Sequence, residues 1–274
     1  MLNSRGSRWV SFALSIFLAA STGCSPSSTS EQEADPIGQG IRSFDFGNAA
    51  WLDYPISLGE GLNQFKLDSG RYRGKVYSRF GSNEEYRYEL AGVPVFADVD
   101  GDGDDDAAVA LRSVGLVSHL SWYLWTWQDG SAYQLHYPFY RRLKCDAAQT
   151  TVEAAEGRFK VSTFLGGGSD ACADPPTKRE QYVVGVQDGY PVRVSPTRGA
   201  PDKDCSSVEM RAVVATNPGA AKAAPEMAAP EVEQAKARDR IEVLSRESYQ
   251  PFILARLTAG GLTYCGWIRR SVIE

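Results

Sequence analysis

Six aspartates fall within nine consecutive residues, 98–106, in the stretch FADVDGDGDDDAAVALR. When carboxylates alternate along a tight loop, their oxygens turn toward one centre, and a hard cation such as Ca²⁺ takes ~6–8 oxygen ligands. Gly103 stands at the sixth loop position, where a sharp turn tolerates no Cβ. The spacing therefore predicts a structural calcium site, in which Asp104 contributes its backbone carbonyl and Asp106 either its carboxylate or a bound water. The predicted ligands are Asp98, Asp100, Asp102, Asp104 and Asp106.

A solvated acidic turn without metal is the alternative interpretation of this loop. Six carboxylates so close together would repel one another and raise their pKa values. The chain also makes simpler turns from Asp-Gly elsewhere, which favours the metal interpretation. Ca²⁺ is preferred to Mg²⁺ because the ligands are many and the geometry is loose. The ion would hold the turn into the strand 107–112, with an affinity of ~10⁻⁴–10⁻³ M, typical of extracellular modules.

The loop is not an EF-hand, because Val109 stands at the twelfth position and no helices flank it. DVDGDGDDD followed by AAVAL resembles instead the calcium loop of FG-GAP/VCBS repeats, D-x-[DN]-x-D-G-x-x-D followed by an apolar strand, as in integrin-like β-propellers. Those propellers repeat the motif in several blades. This sequence has one copy, so a full propeller is not expected.

The N-terminus has the pattern of an export signal. Arg5 and Arg8 precede the uncharged apolar run 9–20, which is too short for a transmembrane helix of ~20 residues. The following STGC resembles the lipobox of bacterial lipoproteins, although Ser21 stands where that motif usually has leucine. The resemblance implies a signal peptide over residues 1–23, acylation of Cys24, and anchorage to the outer face of the bacterial cell membrane. An ordinary signal peptide with an incidental cysteine is the alternative.

The charge balance excludes nucleic acid as an expected partner. The chain has 29 basic and 34 acidic residues, for a net charge of −5. Removal of residues 1–23, which include two arginines and no acid, makes the mature protein more acidic still. Phosphate-backbone binding needs concentrated Lys and Arg, and the sequence has no basic cluster.

Four cysteines remain after Cys24 is assigned to the lipid: Cys145, Cys172, Cys205 and Cys265. An even number is expected of disulfides in an oxidising compartment. Three pairings are possible, and we favour Cys145–Cys172 with Cys205–Cys265. A zinc site is the competing interpretation, but no Cys-x-x-Cys or clustered Cys/His spacing supports it.

The mature chain divides into a tether, a β-rich domain and a C-terminal extension. Residues 24–42 are polar and have no large apolar residue before Ile37, so we expect a disordered tether. Residues 43–205 alternate apolar and polar side chains, as in EYRYELAG, where Arg87 and Glu89 face away from Tyr88. Turn pairs between such runs indicate hairpins, and the fold class is therefore an all-β, antiparallel meander or sandwich. These pairs are Asp129-Gly130, Glu156-Gly157 and Asp188-Gly189.

Beyond this domain the pattern weakens. Alanine, proline and charged residues dominate 206–240, which predicts a linker or a marginal helix beginning near Glu231. Residues 241–274 predict a short extension, a β-hairpin that turns at Gly260-Gly261. More broadly, residues 44–140, from FDFGNAAW through the aspartate loop to the Trp-rich strand, are similar to secreted actinobacterial lipoproteins of the LppP/LprE kind, whose biochemical role is generally unassigned.

No recognised catalytic motif is present. The two histidines, His119 and His136, lie in the aromatic strand region, and no Gly-x-Ser-x-Gly or His-Glu-x-x-His accompanies them. The aromatic row Trp122, Trp125 and Trp127 either fills a core or, if exposed, binds an envelope glycan or a partner protein. We therefore expect a non-enzymatic binding or structural module of the cell envelope; an envelope-associated hydrolase with an unrecognised site is the alternative.

Overall fold

Short strands joined by tight turns make up most of the described chain, as the alternating pattern predicts. The computed structural model describes residues 39–53, 63–77, 83–114, 119–142, 150–165, 178–202, 205, 210–249 and 251–274. All of them belong to one compact unit, Asp35–Glu274. Within these ranges α1, Gln39–Arg42, is the only α-helix, and none of their helices is long and apolar enough to cross a membrane.

Nineteen strands are described. In chain order they are β1 (Ala50–Asp53), β2 (Asn63–Lys66), β3 (Arg71–Tyr77), β4 (Asn83–Leu90), β5 (Val95–Ala97), β6 (Asp106–Val114), β7 (His119–Gln128), β8 (Ser131–Gln134), β9 (Tyr140–Arg142), β10 (Thr151–Ala155), β11 (Arg158–Leu165), β12 (Lys178–Gln187), β13 (Tyr190–Ser195), β14 (Arg211–Val214), β15 (Gly219–Lys222), β16 (Glu231–Ala235), β17 (Arg240–Tyr249), β18 (Phe252–Ala259) and β19 (Leu262–Arg269).

These strands form four sheets, and every pair of named strands is antiparallel. The largest has the order β3-β4-β6-β7-β8, with β5 added beside β6 and β9 beside β7. β1 and β2 form a two-stranded sheet, β10 to β13 a four-stranded meander, and the order β14-β17-β18-β19-β15-β16 a six-stranded sheet. The predicted all-β, antiparallel fold class is confirmed.

The hairpin turns follow the predicted turn chemistry. Each of the four predicted two-residue turns connects consecutive strands, and both of its residues have positive φ, as a type I′ turn requires. These turns are Asp129-Gly130, Glu156-Gly157, Asp188-Gly189 and Gly260-Gly261. The sequence therefore determines the register of these hairpins locally.

The seven-stranded sheet is covered on both faces. On one face, Trp122 and Leu124 of β7 pack in a core with residues of the four-stranded meander, including Phe159. On the other face, Tyr123 and Trp125 pack in a core with α1, β1 and β2. Alternate side chains of β7 thus enter different cores, because successive residues of a strand point to opposite faces.

The predicted tether extends four residues too far. Residues 39–42 form α1, and Ile41 is buried against the seven-stranded sheet. A Cβ on Gly40 would lie 2.3 Å from the Trp127 ring, so glycine is what allows this close approach. The rest of the predicted tether, together with Cys24 and the predicted signal peptide, lies outside the described residues.

The prediction of a linker or marginal helix over 206–240 is wrong, because the described part of this segment contains β14, β15 and β16. Local propensity favours helix for alanine, but tertiary pairing overrides it. Ala221 and Ala235 are completely or almost completely buried. A Cβ on Gly266 would lie 2.9 Å from the Ala221 Cβ and 2.7 Å from Val232. Small residues here let neighbouring strands approach closely.

The predicted disulfide Cys205–Cys265 is present, with Cα atoms 5.7 Å apart. This disulfide links the segment that precedes β14 to strand β19. Next to it, the N–H of Ala200 donates a hydrogen bond to the Cys265 carbonyl at 2.8 Å. Closing a loop of 60 residues corresponds to about 4 kcal/mol of loop-closure entropy. Cys145 and Cys172, the other predicted pair, lie outside the described residues.

Candidate metal site

The aspartate loop closes the hairpin between β5 and β6. Ala97 pairs with Asp106, so residues 98–105 form the connection. Gly101 and Gly103 have φ angles of 84° and 101°, in the left-handed region that glycine adopts without a steric penalty. The glycine at the sixth loop position therefore lies where the sequence predicts a turn that needs one.

Backbone N–H groups orient the carboxylates of this loop. Asp98 accepts hydrogen bonds from the N–H of Gly101 at 2.7 Å and of Gly103 at 3.2 Å, one on each oxygen. Asp100 Oδ1 accepts from the Asp102 N–H at 3.2 Å. Burial, and the nearby charges of Asp102 and Asp98, raise the pKa of Asp100. The loop thus concentrates negative charge that a cation would neutralise.

Asp106 is the most deeply buried of the predicted ligands, with no exposed surface. Its Oδ2 accepts from the Val99 N–H at 2.9 Å, and its Oδ1 accepts from the Trp127 N–H at 3.0 Å. Burial raises the pKa of Asp106 to about 7, although these hydrogen bonds act in the opposite direction. The carboxylate connects the loop to β7 and is energetically costly to ionise without a positive partner.

Three of the five predicted ligands converge. Oxygen atoms of Asp98, Asp100 and Asp106 all lie within 4.8 Å of one another. Calcium–oxygen distances of about 2.3–2.6 Å allow two ligands of one ion to be separated by up to ~5 Å, so this set fits around a single Ca²⁺. The carboxylates of Asp102 and Asp104 are not part of the cluster. Asp102 Oδ1 instead accepts from the Asp104 N–H at 2.9 Å, along the loop.

Two other elements hold the loop from outside. The guanidinium of Arg42 on α1 forms an ion pair with Asp105 at 2.5 Å and lies 4.7 Å from the centre of the Phe96 ring. Arg158 of β11 donates to the Val99 carbonyl at 2.5 Å. These contacts come from residues distant in sequence, so the loop is positioned by the assembled fold and not by its own turn alone.

A second polar cluster, which the sequence analysis did not identify, surrounds Asp53 at the end of β1. Its two carboxylate oxygens accept from the hydroxyls of Tyr88 at 2.8 Å and Tyr123 at 2.6 Å. Burial alone would raise the pKa of Asp53, but the His119 ring 3.6 Å away and the charge of Arg141 lower it below its ordinary value. The sequence contained one weak indication of this cluster, which is a single aspartate, Asp53, in an otherwise aromatic and apolar stretch.

His119 connects this cluster to Ser113, whose Oγ lies 2.6 Å from His119 Nδ1. Serine, histidine and aspartate are therefore adjacent, as in a nucleophilic triad. Ser113 is only 1% exposed and Asp53 only 2%, so the serine presents no accessible nucleophile in this structure. The hydrogen bonds of this cluster connect β1 to β4, β6 and β7.

His136, the other histidine of the sequence, is exposed on the turn after β8.

The tryptophan row does not form a binding surface. Trp122 is 9% exposed and Trp125 only 3%, and each lies in a hydrophobic core. Trp127 is partly buried against α1. Of the two interpretations that the sequence left open, the burial of Trp122 and Trp125 favours the one in which the row fills cores. The physical reason is that both faces of β7 are covered.

Comparison with family models, with curated proteins and with solved structures gives no match to this chain.

Proposed function

We propose that this protein is a lipid-anchored, exported protein of the bacterial cell envelope. Its β-rich body acts as a non-enzymatic binding or structural module, and Ca²⁺ bound at the aspartate loop stabilises it. An export signal with a lipobox-like STGC, a disulfide between Cys205 and Cys265, and a resemblance to LppP/LprE-like lipoproteins support the location. An envelope glycan or protein is the expected partner class.

The observation that carries the calcium assignment is the convergence of Asp98, Asp100 and Asp106. Their carboxylates would hold the ion, and Asp102 and Asp104 would supplement them through water or a carbonyl. The ion would supply two positive charges that offset most of the negative charge of three crowded carboxylates. It would also hold the end of β5 to the start of β6, as in the FG-GAP/VCBS loops that this loop resembles. Ca²⁺ accepts such a flexible, oxygen-only ligand set more readily than Mg²⁺ does.

Calcium titration of the full chain, followed by thermal unfolding near neutral pH, tests this proposal. With the weak affinity typical of extracellular modules, about 10 mM Ca²⁺ stabilises the fold by about 1.4–2.7 kcal/mol. The expected increase in Tm is therefore about 3–10 °C.

The matched variants remove two charges each. D98N/D100N should lose the calcium response, whereas D129N/D188N should keep it, because asparagine suits the type I′ turns at those positions. An unchanged Tm of the wild-type protein at ~10 mM Ca²⁺ would exclude the calcium site. An equal rise with Mg²⁺ would exclude the preference for calcium.

A further inference from the structure

A groove of about 700 Å³ lies beside β2, β3 and β4, and positive charge predominates among the side chains that the structure describes on its walls. Two acidic side chains, Asp68 and Glu89, also line it. Its cationic residues are Lys66, Arg71, Arg73 and Arg87. In a chain of net charge −5, this local excess of positive charge is opposite in sign to the protein as a whole. The linear sequence does not show it, because the four cations come from three strands.

The strand register places two of these arginines side by side. Arg73 of β3 lies directly opposite Arg87 of β4, and both side chains are exposed. Directly opposed residues have Cβ atoms about 4.5–5.5 Å apart, and like charges in this arrangement are destabilising. Each arginine also has contacts elsewhere in the chain, so an incoming anion would add to or compete with those contacts.

Glu89, an acidic residue of β4 that lines the groove, already has a partner. It lies opposite Arg71 in the β3–β4 ladder and accepts a hydrogen bond from Arg112 at 2.8 Å. Its charge is therefore already paired with that of Arg112.

We infer that this groove binds a phosphate ester through the Arg73–Arg87 pair. A tetrahedral phosphate carries up to two negative charges and can accept paired hydrogen bonds from a guanidinium on each side. A planar carboxylate has a single charge and matches one guanidinium. Tyr72, partly buried in the groove wall, offers a surface for the organic part of the ligand. The volume lies within the ~300–1,000 Å³ typical of small-molecule sites.

The groove is remote from the aspartate loop. Asp106 begins β6, whereas Val114, which lines the groove, ends it. Eight residue steps of an antiparallel strand span about 27 Å. The phosphate site does not depend on the calcium site, so substitutions in one should leave ligand binding at the other unchanged.

Calorimetric titration of the full chain with inorganic phosphate and with glycerol phosphate, without calcium and at constant ionic strength, tests this inference. The wild type should bind both, and R73Q/R87Q should bind at least ~10-fold more weakly. R211Q/R269Q replaces two exposed arginines on the six-stranded sheet and should bind like the wild type. K66Q, on a different strand, should also weaken binding. Thermal unfolding checks that each variant is folded.

The source of the phosphate is resolved by a second arm with phosphatidylcholine vesicles, with or without phosphatidylglycerol. If the wild type binds the anionic vesicles and R73Q/R87Q does not, the ligand is a lipid headgroup. If the wild type binds glycerol phosphate but not the vesicles, the ligand is a soluble ester. Absence of phosphate binding, equal binding by R73Q/R87Q, or acetate binding as tight as phosphate binding would each overturn the inference.

Discussion

Replacement of Asp106 by asparagine should alter both the pH dependence and the calcium dependence of stability. In D106N the side chain keeps its shape but loses its ionisable group. The wild-type carboxylate is fully buried and accepts N–H groups on both oxygens, from Val99 and from Trp127. The amide can satisfy only one of these two donors, which costs about 1–3 kcal/mol at every pH.

The pH-dependent part follows from burial. The pKa of Asp106 is about 7 in the folded protein and 3.8 for an ordinary aspartate. Between these values the folded state holds a proton that the unfolded state has released, so the free energy of unfolding falls as pH rises through this window. The difference corresponds to about 4 kcal/mol once the pH exceeds 7. D106N should lack this loss entirely.

Urea unfolding of both proteins, in chelator, between about pH 4 and 8 measures the effect. The wild type should be about 1–3 kcal/mol more stable than D106N at the acidic end. Because this difference should fall by about 4 kcal/mol with rising pH, D106N should be the more stable protein at the basic end. Asp53, whose lowered pKa acts in the opposite direction, is present in both proteins and cancels in the comparison.

Calcium should offset part of this loss of stability in the wild type. Metal binding needs the ionised carboxylate, so the wild type should regain about 1.4–2.7 kcal/mol at ~10 mM Ca²⁺ near neutral pH, whereas D106N should not respond. Parallel stability curves for the two proteins in chelator would refute the reasoning about Asp106. An equal calcium response would refute its role as a ligand.

Two further predictions concern the buried cluster and the anchor. Y123F removes one hydroxyl donor from the buried Asp53 and should cost about 1.5–3 kcal/mol in urea unfolding, whereas Y133F, at a half-exposed tyrosine, should cost nothing measurable. Because the pKa of Asp53 is lowered, its contribution is present above pH ~4 and is lost as pH falls through the folded-state pKa; a Y123F cost near zero at neutral pH would contradict this role. Metabolic labelling with palmitate in a bacterial host should label the wild type and not C24A, and an unlabelled wild type would exclude the lipid anchor.

Local patterns predicted much of the fold because the physics behind them is local. A two-residue turn with both φ angles positive selects Asp-Gly, Glu-Gly or Gly-Gly, and the sequence places such pairs between strands that the structure confirms. The same reasoning placed the aspartate loop before an apolar strand. The Cys205–Cys265 disulfide, which belongs to the favoured one of three possible pairings, is also present, but local patterns did not select it. Local patterns failed for 206–240, where buried alanines lie in strands because neighbouring strands of the same chain pair with them.

By itself, the sequence determined the turns, the alternation of side chains along each strand and the crowding of carboxylates in residues 98–106. The tertiary structure decided which groups meet: three of five aspartates, the Asp53 carboxylate with a tyrosine 70 positions later, and Arg73 opposite Arg87. The reason is that spacing along one strand or turn sets a side chain's direction, whereas its neighbours are set by strand order and sheet packing, which join residues far apart in the chain.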